Sequence, residues 1–228
     1  TCNGIEMPEE VPLLQHHLKE TGYWTANIGK LHFLNHSTRD HRLPHPDYGF
    51  DLLVNSDEPG CYDDAYIEWV RRADPALVEL CRCSSPPVCL GPRRHCEPRN
   101  TDEPYAFRGP AERTHSAFVA EQTIEALRSA PRDRPWFLCA GFYAPHCPLN
   151  PPQDLWESYD PGMMPLPAWT EEQRPEPGQP GPRGKTAEQW RRIIAAYYAL
   201  TTHVDQQVGR ILRHLEAEGI LEDTLVVF

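Results

Sequence analysis

The sequence lacks long apolar runs and clustered basic residues, and each absence narrows the range of functions. No apolar stretch approaches the roughly 20 residues that a membrane-spanning helix needs, so no span is predicted. Lysine and arginine number 22 against 33 aspartates and glutamates, the formal net charge is -11, and the cations occur as scattered pairs. Nucleic-acid backbones are bound through clustered cations. The chain is therefore not expected to bind nucleic acid, and a small or polar substrate fits it better.

Apolar and aromatic residues are plentiful enough for a folded core. Hydrophobic residues make up 39% of the 228 positions, and six Trp and nine Tyr supply large side chains. This length suits one sizeable α/β core. The chain begins at Thr1 without a methionine and ends at Phe228 inside an apolar run, so both ends are interpreted as cuts in a longer sequence. No compartment is predicted.

Three helix-then-strand units follow one another along the chain. Apolar residues recur at helical spacing in residues 9–20, 111–129 and 187–218, and strand-like runs follow at 23–28, 136–142 and 224–228. A shorter helix is predicted at 63–72. Residues 36–60 are rich in proline, histidine and aspartate and are predicted to form a long surface loop. Residues 148–184 are rich in proline and lack periodicity, so they are predicted to be a long surface excursion. The repeated unit predicts a mostly parallel sheet flanked by helices.

Polar side chains follow the first two of these strands. Lys30 and His32 come directly after the first strand, and His146 comes shortly after the second. Ligands of open parallel sheets bind beyond the carboxyl ends of the strands. A lysine ammonium supplies a charge for an oxyanion, and a histidine donates a hydrogen bond or exchanges a proton near neutral pH. These three residues could therefore hold a tetrahedral anion; the alternative is that each is a structural polar residue satisfied by its neighbours.

Residues 22–32 read GYWTANIGKLH and resemble a signature of the sulfatase family, in which Gly-Tyr-x-Thr runs into Gly-Lys-x-His. Residues 136–148 resemble the family strand that ends in Pro-His-x-Pro, and residues 196–228 are similar to its long helix and the strand after it. The resemblance covers nearly the whole chain. It implies an alkaline-phosphatase-like α/β fold, a mostly parallel sheet flanked by helices, with residues 1–228 forming part of a single N-terminal catalytic domain truncated at both ends.

The same resemblance implies a sulfuric ester hydrolase. Its nucleophile would be a formylglycine made from cysteine or serine by a formylglycine-generating or an anaerobic sulfatase-maturating enzyme, and its cofactor a divalent metal, usually calcium. By position, Lys30 would contact the formylglycine oxygen and the sulfate, and His32 would help the covalent intermediate collapse. His146 would bind the sulfate and assist the leaving oxygen. The expected substrate is a sulfated small molecule or glycan.

The chain also departs from the family pattern. The family places a Cys-x-Pro-x-Arg motif and a metal-binding pair of aspartates before the Gly-Lys-x-His signature, and neither occurs here. Cys96-Glu97-Pro98-Arg99 is a near match, but its arginine comes one position early and it follows the signature, so we interpret it as a coincidence. The Asp-His-Gly or Asp-Asn-Gly metal loop would begin just past Phe228. We therefore expect the metal ligands to lie outside this chain and residues 1–228 to be inactive alone.

Two other functions remain open from the sequence. Phosphonate monoester and phosphodiester hydrolases share the fold and much of the signature, because lysine and histidine suit any tetrahedral anion. The second alternative is a non-catalytic zinc-binding or interaction module. Its ligands would be Cys81, Cys83, Cys89, His95 and Cys96. Structural zinc sites usually have two to four residues between paired cysteines, whereas only one lies between Cys81 and Cys83 and the later spacings are irregular.

Overall fold

The computed structural model describes residues 6–8, 10–34, 43, 45–60, 62–82, 103–168, 170 and 184–228. In the described residues, the strands are β1 (Trp24–Gly29), β2 (Leu52–Asn55) and β3 (Trp136–Gly141). The helices are α1 (Leu14–Glu20), α2 (Ala65–Ala73), α3 (Val78–Cys81), α4 (His115–Ser129), α5 (Gln153–Ser158) and α6 (Ala187–Ala217). Short 3₁₀ helices lie at Pro75–Leu77, Ala111–Arg113 and Pro161–Met163.

The three described strands form one parallel sheet in the order β2-β1-β3. In the register, Ala26 pairs with Leu52 on one side of β1 and with Leu138 on the other. Every residue of β1 is buried, whereas β2 and β3 are half-buried. This is the pattern of a central strand that is covered on both faces and flanked by a neighbour on each side.

Alternate residues of the strands supply two separate cores. On one face, Ala26 and Ile28 pack with Ala126 and Ala130 at the end of α4. On the other face, Leu53 and Phe137 pack against a cluster that includes Leu31, Leu34, Tyr48 and Phe50. Side chains of a strand point alternately to its two faces. The period-two pattern thus buries side chains on both faces of the sheet.

Side-chain caps start the helices that flank the sheet. Asp64 accepts a hydrogen bond from the Ile67 amide at the start of α2, and Thr114 accepts one from the Ala117 amide at the start of α4. At α6 Thr186 caps the first turn together with a glutamine three residues later. Such caps satisfy amide groups that the first turn leaves without a partner.

Several sequence predictions are confirmed and others are wrong. The helices at 111–129 and 187–218 and the strands at 23–28 and 136–142 match α4, α6, β1 and β3 within a few residues. The first helix begins at Leu14, five residues later than predicted. Residues 36–60 are not only a loop, because they contain β2, and 148–184 contain α5. Both missed elements are too short, at four and six residues, for periodicity to reveal them.

The strand predicted at 224–228 is also wrong. These residues form no strand in the structure, and the side chains of Leu225 and Phe228 are 89% and 104% exposed. A strand exists only where its backbone pairs with a neighbour, and the described strands pair with one another instead. No helix in the described ranges is long and apolar enough to cross a membrane.

Candidate active site

Loops from the ends of all three described strands meet at the carboxyl edge of the sheet. The strands are parallel, so their last residues Gly29, Asn55 and Gly141 lie side by side, with Gly29 paired to both of the others. The side chains that the loops bring to this edge are Lys30, His32, Asp57, Glu58, Tyr143 and His146. The three residues predicted from the sequence are among them.

Two glycines let β1 and β3 approach closely at this edge. The Lys30 amide donates to the Gly141 carbonyl oxygen at 2.8 Å. A Cβ at Gly141 would lie 2.3 Å from the Lys30 carbonyl oxygen, and a Cβ at Gly29 would lie 2.3 Å from that of Gly141. Gly29 also has φ +91°, a left-handed value that side chains disfavour. The glycine in the Gly-Lys-x-His motif is therefore needed to position the lysine.

Lys30 points into a cluster built by the β2 and β3 loops. Its Nζ donates to the Asp57 carbonyl oxygen at 3.0 Å, lies 3.4 Å from Glu58 Oε1, and stands 4.5 Å above the ring of Tyr143. Its side chain is 19% exposed. An ammonium has three N–H donors. Two of them face protein acceptors, and the third can meet an anion.

Tyr143 links the cluster to His146. The Tyr143 hydroxyl lies 3.0 Å from Glu58 Oε2 and 2.9 Å from the Cys147 carbonyl oxygen, and the Tyr143 and His146 rings are 4.8 Å apart. His146 Nδ1 lies 2.7 Å from the same Cys147 oxygen. A carbonyl only accepts, so Nδ1 carries a proton. Nε2 is therefore the nitrogen of this exposed ring that a ligand would meet.

His32 lies near the surface within electrostatic range of both other predicted residues. Partial burial lowers the pKa of His32, and the charge of Lys30 and the ring of His146 lower it further, while Glu58 and Asp57 oppose them. The neutral form is thereby favoured. The structure brings Lys30, His32 and His146 to one place, although they lie up to 116 positions apart in the sequence.

Asp57 holds the loops in place, and the sequence reasoning missed it. Its side chain is 1% exposed and accepts hydrogen bonds from the Leu31 amide at 2.7 Å and from Asn55 Nδ2 at 2.9 Å. His45 Nε2 lies 3.4 Å from its second oxygen. Leu31 lies between Lys30 and His32 in the chain. Asp57 thus joins the β2 loop to the β1 loop, and only recognition of β2 could have revealed it.

A buried row of polar groups supports the β2 loop from behind. Ser56 Oγ donates to Asp64 Oδ2 at 2.6 Å, and His115 Nε2 lies 3.2 Å from that same Oγ. Because the serine proton is directed at Asp64, His115 Nε2 is the donor in its hydrogen bond with Ser56 Oγ. Burial lowers the pKa of His115 to about 3 and raises the pKa of Asp64 to about 6. His115 is thus a neutral brace for the loop that carries Asp57 and Glu58.

A small cavity adjoins the cluster. It measures about 50 Å³ and is lined in part by Tyr143, His146, His115 and His203. Burial also lowers the pKa of His203, whose Nε2 lies 2.7 Å from Thr114 Oγ1. Space of this size holds a few water molecules and no more. A larger substrate would have to lie outside, over the exposed face of His146.

The described residues form no site for either metal considered from the sequence, the divalent metal of a sulfatase or the zinc of a structural module. Within the ranges that the structure describes, no group of three or more His, Cys, Asp or Glu side chains comes together to hold a metal ion. Cys83, Cys89, His95 and Cys96 of the suggested zinc module lie outside the described residues, as does the Cys96 near match. Cys81 is buried with its sulfur 3.7 Å from the Arg113 carbonyl oxygen, and burial raises the pKa of its thiol. The described residues do not fit a metal.

Comparisons with known proteins agree with one another on the family and the fold. The model of the family described as Sulfatase matches residues 3–228. An arylsulfatase of Clostridium perfringens is 32% identical over 123 residues, which are 49% of this chain and 24% of that protein. A choline-sulfatase of Rhizobium meliloti is 25% identical over 243 residues, covering 99% of this chain and 43% of that protein. The matched stretches thus cover 24% and 43% of the lengths of these two relatives, so this chain corresponds to less than half of the choline-sulfatase.

Among solved structures, the phosphonate monoester hydrolase of Agrobacterium radiobacter superposes with a TM-score of 0.68. The match covers 99% of this chain and 48% of that one at 21% identity. At this identity the likeness speaks for the fold alone. It confirms the predicted alkaline-phosphatase-like α/β fold, of which this chain forms a part.

Proposed function

The chain belongs to the sulfatase family, and from that premise we propose that it contributes Lys30, His32 and His146 to the active site of a sulfuric ester hydrolase. The observation that carries the proposal is their meeting at the carboxyl edge of the sheet, where Lys30 and His146 both contact the ring of Tyr143 and lie within electrostatic range of His32. In this proposal residues 1–228 are part of one N-terminal catalytic domain, truncated at both ends. The substrate is a sulfated small molecule or glycan.

Each residue has a role that its surroundings support. Lys30 donates its third N–H to a sulfate oxygen and offsets the charge there. His146, with Nδ1 directed at the Cys147 carbonyl, presents Nε2 to the oxygen that leaves, and a proton on Nε2 passes to that oxygen as its bond to sulfur breaks. His32 is favoured in the neutral form, and it would accept the proton of the remaining hydroxyl of the sulfated diol as the carbon–oxygen bond to sulfate breaks, sulfate leaves and the aldehyde re-forms. The family resemblance suggests these roles, and the geometry is compatible with them.

The remaining groups would come from other parts of a longer protein. We propose that these parts hold the residue converted to formylglycine, by a formylglycine-generating or an anaerobic sulfatase-maturating enzyme. They would also hold the ligands of a divalent metal, calcium by family resemblance, which as a Lewis acid polarises a substrate oxygen. Without these groups, residues 1–228 bind and orient a substrate but do not turn it over.

A second candidate function is hydrolysis of phosphonate monoesters or phosphodiesters. The observation that favours it is the fold likeness to a phosphonate monoester hydrolase over 99% of the chain. A lysine and two histidines suit any tetrahedral anion, so the site geometry serves both reactions. Parallel assays with an aryl sulfate, an aryl phosphonate monoester and an aryl phosphodiester separate the two candidates.

The test compares residues 1–228 with the longer, matured protein. With calcium and a formylglycine-generating enzyme present, residues 1–228 should show only background hydrolysis of an aryl sulfate, and the longer protein should show turnover. In the longer protein, Lys30→Ala or His146→Ala should lower kcat/KM by about 10²-fold or more, since each removes a group that acts on developing charge. His17→Ala, at a histidine whose side chain is 62% exposed on α1, is the matched control and should change little.

Two outcomes would contradict the proposal. Metal-dependent turnover by residues 1–228 alone would mean that the nucleophile lies within them, and Cys96 would be the first residue to replace. Full activity of the longer protein after Lys30→Ala and His146→Ala would mean that the site lies elsewhere.

A further inference from the structure

The cation that would bind the tetrahedral anion has a carboxylate beside it. Glu58 Oε1 lies 3.4 Å from Lys30 Nζ, and the two side chains are only 21% and 19% exposed. Solvent and salt screen such a pair less than a pair on the surface. An anion approaching Lys30 therefore meets the negative charge of Glu58 at short range.

Glu58 is held in this position by neighbours on more than one side. Its second carboxylate oxygen lies 3.0 Å from the hydroxyl of Tyr143, a residue that is 8% exposed. Its backbone follows Asp57, which is anchored to the Leu31 amide at 2.7 Å. The carboxylate is thus tied to groups that are themselves buried, and it cannot move aside without breaking these contacts.

The charges at this edge have a simple consequence for ligands. Lys30 attracts each unit of ligand charge and Glu58 repels it, so the two long-range effects nearly cancel. At Lys30 itself the ligand then gains mainly hydrogen bonds, which a singly charged anion makes as well as a doubly charged one. The second charge of a dianion therefore gains no net attraction from this pair, while removing that charge from water costs free energy. Asp57, whose carboxylate accepts hydrogen bonds from the Leu31 amide and Asn55 Nδ2, carries a charge of the same sign as Glu58.

We propose that Glu58 makes this site selective for tetrahedral anions with a single negative charge, such as sulfate monoesters, phosphonate monoesters and phosphodiesters, over doubly charged phosphate monoesters. The inference rests on the proposed function, in that the anion is assumed to bind at Lys30. It assigns Glu58 to specificity, because the carboxylate does not touch the reacting atoms.

A purely structural role for Glu58 makes a different prediction. If the carboxylate only braces Lys30, its replacement should weaken every substrate by the same factor. If it selects by charge, the ratio between a dianionic and a monoanionic substrate should change. The measured quantity is therefore the ratio of two kcat/KM values, which is insensitive to the amount of active protein.

The experiment uses the longer, matured protein with 4-nitrophenyl sulfate and 4-nitrophenyl phosphate at a pH of about 8, above the second pKa of about 6 of a phosphate monoester. Glu58→Gln keeps the size and hydrogen-bonding oxygen and removes the charge. The phosphate-to-sulfate ratio should rise about tenfold or more, as expected for removing one charge a few ångströms from the anion. Glu58→Asp keeps the charge and should keep the ratio low, and Glu125→Gln, on the exposed face of α4, controls for net charge.

An unchanged ratio in Glu58→Gln, or an equal loss for both substrates, would overturn the inference while leaving the proposed function intact. Binding separates the remaining cases. The affinities of methyl sulfate and methyl phosphate are measured by calorimetry for the original protein and for Glu58→Gln. If there is no turnover but Glu58→Gln strengthens methyl phosphate alone, the charge selection stands and the reaction assignment fails. If neither anion binds, both the anion site and the inference fail.

Discussion

The removal of Asp57 should be the most informative test of how the site is held together. Its side chain is 1% exposed and accepts hydrogen bonds from the Leu31 amide at 2.7 Å and Asn55 Nδ2 at 2.9 Å. Hydrogen bonds to a charged group contribute about 1.5–3 kcal/mol each, and a buried donor left without a partner carries its own penalty. Asp57→Ala should therefore lower the free energy of unfolding by about 3–5 kcal/mol.

Asp57→Asn serves as the matched variant, because it keeps the oxygen that faces the Leu31 amide. Its new amide group would face Asn55 Nδ2, donor against donor. Asn55 Oδ1, however, is buried without a hydrogen-bond partner among the described residues. Rotation of the Asn55 amide by half a turn would pair that oxygen with the new amide. We therefore expect Asp57→Asn to destabilise by only about 1–2 kcal/mol.

Urea denaturation followed by circular dichroism measures both effects, and an unchanged m-value shows that the unfolding transition is the same in each variant. The exposed Asp223, replaced by alanine, controls for loss of one charge and should change the free energy by less than about 0.5 kcal/mol. The reasoning fails if Asp57→Ala costs less than about 1 kcal/mol. It also fails if asparagine is as damaging as alanine, since the retained acceptor would then be irrelevant.

Two further predictions concern pH and packing. The folded state raises the pKa of Asp64 from 3.8 to about 6, so this group stabilises the fold fully below 3.8 and loses that contribution as the pH rises towards 6. Asp64→Asn stays neutral, so its free energy of unfolding should rise relative to the original protein by about 3 kcal/mol across that window, and a pH-independent difference would contradict this. Gly141→Ala should lower the melting temperature, at a cost of about 1–3 kcal/mol, because its Cβ would lie 2.3 Å from the Lys30 carbonyl oxygen. Gly209→Ala, inside α6 beside only a flexible arginine, should stabilise instead, and an equal response of the two variants would show that the contact is not tight.

The elements that were predicted correctly from the sequence were mostly predicted from local patterns. The stripe of α6 and the continuous apolar run of β3 each span enough residues for periodicity to be read directly. The positions of Lys30 and His146 then followed from a rule about parallel sheets, since Lys30 comes directly after β1 and His146 comes shortly after β3. That rule needs only the element order, and the structure places both at the carboxyl edge.

Elements that depend on a distant partner were not predictable. The four residues of β2 are half-buried and lie in a proline-rich stretch, and they form a strand because Ala26–Gly29 lie beside them. Residues 224–228 are more strand-like in composition, yet they form none because no described strand pairs with them. Backbone pairing joins segments that lie far apart in the chain. Predictions from composition alone were therefore wrong for both β2 and residues 224–228.

Local sequence patterns were enough to predict the family, the helices α4 and α6, the strands β1 and β3, and the residues that follow these two strands. The charges that surround Lys30, in contrast, could be known only from the folded chain. Asp57 and Glu58 lie 27 and 28 positions away, and they meet the lysine because β2 pairs with β1 in one particular register. A shift of that pairing by one residue would turn their side chains to the other face. The chemistry of the site thus depends on strand register, a property of the folded chain that no local pattern records.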